Sequence, residues 1–306
     1  MARLPGRSPS IRGGAGSRHV RPDQLAATIR RLSRRGASPQ SAVPCWGRTH
    51  RGATTDARTQ TTRVRRCSVR RVGLYGASGN IAPHIVPQLA KDYDLHLSDI
   101  SPYPDGREIA HVDVTDYEQV LEAARGCDAL MNFTVLRSVR DPAFAVNVTG
   151  AWNVMRAAVE LGIKKIVHTG PQCIRGSFDH AFDVVDPPRA PGTSLYGLTK
   201  TMSYEICRTF ARRYGIQTVT FVFNGLRPRP EGSETKSDFP PFTVIYEDLA
   251  RACKLALEIE SVPDHYQEFN MLSYEAHGKY SVDKARRILG FEPGERWEDY
   301  YKRPLE

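Results

Sequence analysis

Tyr196 and Lys200, in the run Tyr196-Gly-Leu-Thr-Lys200, stand four residues apart, and residues at that spacing are neighbours on one face of a helix. An ammonium beside a phenol stabilises the phenolate and fits the pair to move a proton near neutral pH. The spacing alone says little, because Tyr280-Ser-Val-Asp-Lys284 repeats it. Order separates the two. Tyr196 comes after five apolar runs, 120 residues beyond Gly76, whereas Tyr280 precedes only the last helical pattern and reads as surface or packing.

A second group is the glycine-rich run Gly73-Leu-Tyr-Gly76-Ala-Ser-Gly79-Asn-Ile-Ala82, directly after the first apolar run. A dinucleotide site needs one glycine for a tight strand-to-helix turn and another where backbone approaches the pyrophosphate. It also needs a small residue where helix packs on strand. Gly76, Gly79 and Ala82 suit those roles. Twenty residues past Gly79, Asp99 closes Leu95-His-Leu-Ser-Asp99, where a carboxylate accepts from both ribose hydroxyls and repels a 2′-phosphate. No Lys or Arg follows among Ile100, Ser101 and Pro102, so NAD is expected over NADP. Asp113-Val114 ends the next run, where the adenine would lie.

These groups require a particular scaffold. Short apolar runs at Arg71–Tyr75, Leu95–Asp99, Ile109–Val114, Ala129–Val135, Lys165–Thr169 and Thr218–Phe223 alternate with helical patterns at 80–91, 117–125, 143–161 and 195–214. Strand and helix in alternation demand a parallel sheet covered on both faces, so a doubly wound α/β body is expected from residue 71. Pro87, inside the first helical pattern, removes a hydrogen bond and predicts a kink.

Charge divides the 306-residue chain. Residues 1–70 hold 16 Arg, two Asp and neither Lys nor Glu, a net +14, while the remainder holds 27 basic against 32 acidic residues. The basic character of the whole chain, +9, therefore says nothing of what the body binds, and no nucleic-acid partner is expected for it. Arg-, Ser- and Gly-rich and poor in large apolar side chains, residues 1–70 cannot offset their ordering entropy and are expected to be disordered. Three readings of this extension stay open: a transit peptide, a nucleic-acid arm, and a start codon placed upstream of the true one near Val69. The six Cys form no C-x-x-C pair and no metal-ligand spacing with the nine His. They read as reduced thiols, and no metal is expected. A cytoplasmic location follows, or an organelle if the extension is a transit peptide. No stretch approaches the roughly eighteen apolar residues of a membrane span.

From residue 71 to 306 the chain resembles the extended short-chain dehydrogenase/reductase family of the NAD-dependent epimerase/dehydratase type. The resemblance rests on Gly76-x-x-Gly79-x-x-Ala82, Asp99, Asp113-Val114, Asn147-Val-Thr-Gly150-x-x-Asn153 and Tyr196-x-x-x-Lys200. Tyr246-Glu-Asp248-Leu-Ala250 and Ala285-Arg-Arg-Ile-Leu-Gly290-Phe-Glu-Pro293 extend it. It implies a Rossmann sheet with a small C-terminal substrate lobe, about 224–306, and NAD contacts from Gly76, Ser78, Gly79, Asn80, Ile81, Asp99, Asp113, Val114, Phe133 and Lys200. It further implies Tyr196 as proton-transfer residue, Lys200 lowering its pKa and holding the ribose, and a homodimer through the helices near 143–161 and 195–214. Ala145, Val148, Trp152, Met155, Met202, Ile206 and Phe210 would supply that contact.

One departure stands out. Where the family resemblance puts a catalytic Ser or Thr, the stretch Thr169-Gly-Pro-Gln-Cys-Ile-Arg-Gly176 has Pro171, so Thr169 or Gln172 is the expected stand-in. Only 17 residues separate Asn224 from Phe242. A longer insertion there belongs to members acting on nucleotide sugars, so the compact, uronate-dehydrogenase-like members are the better match. Arg227 and Arg229 either meet a substrate carboxylate or form a solvated loop. The expected activity is NAD-dependent oxidation of a small sugar or sugar acid. The alternatives are an epimerase or dehydratase that returns the hydride, and an NAD-binding protein with weakened catalysis.

Overall fold

A computed structural model describes residues 69–171, 189–229, 243–274 and 281–295. The expectations for residues 1–68, for Gln172 to Gly176 and for Tyr280 lie outside the described residues. Among those described, strands β1 (Arg71–Tyr75), β2 (Asp94–Asp99), β3 (Ala110–His111), β4 (Ala129–Asn132), β5 (Lys165–Pro171) and β6 (Gln217–Phe223) pair in parallel. A two-stranded parallel ribbon, β7 (Gly225–Arg227) with β8 (Thr243–Ile245), follows, and β9 (Tyr266–Asn270) returns to pair beside β6. The sheet order is β3-β2-β1-β4-β5-β6-β9. It reverses direction between β1 and β4, and ligands of such sheets bind at the carboxyl ends of the strands there.

The pleat divides the apolar runs between two cores, as double winding requires. Val72 and Leu74, Ala129 and Met131, Val167, Val219 and Phe221 face one core, covered by α1 (Ala82–Leu89) and α6 (Tyr246–Glu258). Tyr75, Leu130 and Ile166 face the other, covered by α2 (Tyr117–Ala124), α4 (Gly150–Leu161) and α5 (Leu195–Tyr214). Between β4 and α4 lie the short α3 (Arg140–Phe144) and a π-helical turn, Ala145–Thr149.

Local chemistry sets the helix starts. Asp116 caps α2 by accepting from the N–H groups of Glu118 and Gln119, and Ser194 caps α5 by accepting from Gly197. Helix α1 runs unbroken through Pro87 and ends two residues later, so the missing bond falls in its last turn. The seventh strand escapes a reading based on apolar runs because Tyr266-Gln-Glu-Phe-Asn interleaves polar residues. Its Glu268 is held by Arg189, which also pairs with Glu205 on α5. The expected C-terminal lobe is thus interwoven with the main body: β9 extends the main sheet and α6 packs on α1. No helix among the described residues is long and apolar enough to cross a membrane.

Candidate active site

The chain dictates the glycine loop most strongly. Gly76 has φ +83°, and a Cβ there would sit 2.8 Å from the backbone of Phe133 and Thr134. Only glycine combines that conformation with so close an approach of two strand ends. The loop is pinned to β2 by the N–H groups of Gly76 and Ala77, which both donate to the Ser98 carbonyl, at 3.0 and 3.1 Å. Asp99 closes the corner: one carboxylate oxygen accepts from Ser78 N–H at 3.0 Å and the other from Ser101 N–H at 2.9 Å. Each oxygen retains a second lone pair for a ribose hydroxyl. Gly79 and Asn80 are exposed, and Ile81 starts α1 without any side-chain cap; in the first turn Pro83 has no N–H and the His84 N–H donates to the Ile81 carbonyl at 3.2 Å. The cradle that a Cβ would fill and the fixed carboxylate together fit NAD.

Asp113 and Val114 serve the same end of the sheet. Asp113 accepts from the backbone and hydroxyl of Thr115, while the Val114 carbonyl accepts from Asn153 Nδ2 at 2.9 Å. A Cβ on Gly150 would meet the Val114 side chain at 2.8 Å. The Asn147-to-Asn153 motif therefore docks α4 on the β3 end.

From the glycine loop a continuous set of contacts leads to the tyrosine. Phe133 and Thr134 pack against Gly76, and the next residues of the same loop are clamped by Asn147 of the π-turn. Asn147 Oδ1 accepts from Leu136 N–H at 2.9 Å, and its Nδ2 donates to the Leu136 carbonyl at 2.7 Å and to Thr199 Oγ1 at 2.9 Å. Thr199 lies on α5 between Tyr196 and Lys200. One carboxamide thus joins the β4 loop to the proposed proton-transfer helix. Beyond Leu136, the Arg137 guanidinium lies over the Tyr196 ring, 5.1 Å from its centroid.

Lys200 is 2% exposed. Burial pushes its ammonium down to about 8, with Cys207 opposing the shift and Arg137 adding to it. Burial also pushes the Cys207 thiol up to about 12, so it is neutral at physiological pH. Behind the lysine, the Ser203 hydroxyl donates to the Lys200 carbonyl at 2.8 Å and lies 3.1 Å from His168 Nε2. Burial, then the Lys200 charge, hold His168 well below the ordinary histidine range, which keeps it neutral.

The structure brings Gly76, Ser78, Asp99 and Phe133 together, and places Tyr196 and Lys200 on one turn of α5. Pro171 ends β5 opposite Phe223. His168 and Gly170 turn towards α5, where a Cβ on Gly170 would strike the Tyr204 hydroxyl at 2.1 Å. Thr169, buried, is on the other strand face with Pro171, one pleat deeper. Arg229 pairs with Glu295. Asn147, Arg137 and His168 had no assigned role in the sequence. Only Asn147 left a signal there, its place in a family-like motif.

The NAD dependent epimerase/dehydratase family model matches residues 72–237, which include the glycine loop, Asp99, Tyr196 and Lys200. The chain belongs to this family. NAD is its cofactor. Among similar proteins, a uronate dehydrogenase of Pseudomonas syringae pv. tomato is 26% identical over 197 residues, covering 61% of this chain and 69% of that protein. An L-arabinose 1-dehydrogenase (NAD(P)(+)) of Haloferax volcanii is 24% identical over 252 residues, covering 73% and 96%. The fold is similar to that of uronate dehydrogenase from Agrobacterium tumefaciens, with TM-score 0.63 at 19% identity over 76% of this chain and 86% of that one. Among the described residues no group of His, Cys, Asp or Glu is arranged to hold a metal ion.

Proposed function

We propose that this family member oxidises a hydroxyl of a small sugar or sugar acid. The observation that carries the reading is the buried Lys200, one helical turn from Tyr196, on a helix tied by Asn147 to the loop that packs against Gly76. Burying an ammonium is unfavourable and persists where a reaction needs it. The uronate and arabinose dehydrogenases among its relatives support this substrate class.

NAD supplies the hydride acceptor when bound at the glycine loop. The protein's residues handle the proton. Lys200 puts a positive charge beside Tyr196 and favours its phenolate, which takes the hydroxyl proton as the C–H bond breaks. Lys200 holds the ribose as its second role, and Asn147 fixes the helix and the loop relative to each other. The hydroxyl usual at position 171 is missing. We assign its hydrogen bond to Thr169, on the same strand face, with Thr169→Val expected to slow turnover at unchanged NAD affinity.

We further propose a homodimer through α4 and α5. Trp152 is 48% and Met202 38% exposed, and Phe210 packs edge-on to Trp152 at 5.0 Å. Met155, 1% exposed, covers the sheet instead and leaves the expected contact set. A monomer in light scattering at micromolar concentration would rule this out. On composition, residues 1–70 form a separable basic extension of a cytoplasmic protein, so deleting 1–68 is expected to leave NAD affinity intact.

The reading is tested by following NADH absorbance across aldoses, uronic acids and nucleotide sugars. Net NADH formation with a small sugar or uronic acid supports it. NAD retained without net turnover supports an epimerase or dehydratase, and NAD binding without any reduction leaves the weakened-catalysis alternative that Pro171 suggests.

A further inference from the structure

Arg137 differs from other exposed arginines of the chain. Arg140 pairs with Asp141 at 2.7 Å, Arg125 with Glu122 at 2.6 Å, and Arg107 with Asp105 at 2.5 Å. Arg137 makes no hydrogen bond or ion pair among the described residues, only its contact with the face of Tyr196. A guanidinium lying over a ring still presents its planar edge of N–H donors, matched to the paired oxygens of a carboxylate or phosphate. Its backbone is held as well, since both the N–H and the carbonyl of Leu136 are bound by Asn147. The side chain therefore projects from a fixed point at the carboxyl end of β4, over the Tyr196 ring.

We infer that Arg137 selects an anionic sugar, receiving its carboxylate or phosphate while the carbon to be oxidised faces Tyr196. This rests on the sugar-oxidation reading and adds the substrate's charge to it. With Lys200 the site presents two cations, and neither is paired with a carboxylate among the described residues, so an anion approaching the mouth is attracted.

The test compares the unmutated enzyme with Arg137→Met and Arg137→Lys. Steady-state oxidation of glucuronate, glucose 6-phosphate and glucose is measured alongside calorimetric binding of glucuronate and of NAD. The expected result is a KM for the anionic substrate raised roughly 10- to 100-fold in Arg137→Met, the loss of a charge-assisted pair. Its kcat, the KM for glucose and NAD affinity should hardly change. Arg137→Lys should recover part of the loss, and the preferred anion tells carboxylate from phosphate. Glucuronate binding that is lost in Arg137→Met without NADH formation in any variant sinks the oxidation reading and keeps the arginine. An unaltered KM for the anionic substrate overturns the inference. So does an equal fall in kcat on glucose and glucuronate with a displaced pH profile, which would mean that Arg137 acts through Tyr196. A loss of NAD affinity alone would assign the arginine to the cofactor and also overturn it, as would binding of neither anion by the unmutated protein.

Discussion

Replacing Lys200 with Met should make the cofactor-free protein more stable while abolishing its chemistry. The folded protein releases the Lys200 proton near pH 8, chiefly because the side chain is buried. An unfolded lysine holds its proton to about 10.4. Between these values the unfolded chain binds more protons, so the stability of the unmutated protein rises with pH across that window. The penalty is fully present below about pH 8 and is relieved as pH approaches the unfolded value. The gap of roughly two and a half pH units corresponds to about 3 kcal/mol as an upper bound, since the chain relaxes around buried charge. Methionine fills a similar volume without that penalty. For a domain of this size the gain at pH 7 is expected to raise Tm by roughly 3 to 10 °C, shrinking towards pH 10. Calorimetric scans of both proteins at pH 7 and pH 10, without NAD, measure it. A variant that melts lower at pH 7 by the same margin as at pH 10 would refute the reasoning, because Lys200 would then be held by favourable contacts.

Other substitutions probe the scaffold. Gly76→Ala forces a Cβ into the backbone of Phe133 and Thr134 at positive φ. The conformation alone costs about 1–2 kcal/mol, so both Tm and NAD affinity by titration should fall. Asp99→Ala frees the Ser78 and Ser101 N–H groups and removes the charge opposing a 2′-phosphate. The NAD-over-NADP preference in paired titrations should narrow, and equal affinities before mutation would sink this assignment. Asp248 is 1% exposed, accepts from Gly294 N–H at 2.9 Å and pairs with Arg251 at 2.8 Å. Asp248→Ala should cost about 2–4 kcal/mol in urea unfolding, and an unchanged midpoint would show that the C-terminal stretch is held by other contacts.

The sequence made the nucleotide half most legible, for a physical reason. Parallel strands buried on both faces read as continuous apolar runs, and β1 matches its run at both ends. Gly76 and Asp99 were identifiable because backbone geometry restricts which residues fit. β3 shrank to two residues of the expected run, Ala110 and His111, and β9 stayed hidden because its burial depends on Arg189, far away in the chain. Tyr196 and Lys200 declared themselves by their spacing together with their place after the fifth apolar run. Arg137 did not, since an arginine in a loop means nothing until the fold lays it over a particular ring. Asn147 was visible as part of a motif, but its role in joining loop and helix depends on the π-turn.

The NAD-dependent turnover of the Tyr196→Phe enzyme, taken with its NAD affinity, tests whether the phenol transfers the proton. On a sugar or sugar acid that the unmutated protein oxidises, the account predicts that loss of the phenol removes most of kcat while the Kd for NAD stays nearly unchanged. The phenol acts on the proton in the transition state and not on the cofactor. Turnover of that substrate at an unaltered rate by Tyr196→Phe would contradict the mechanism.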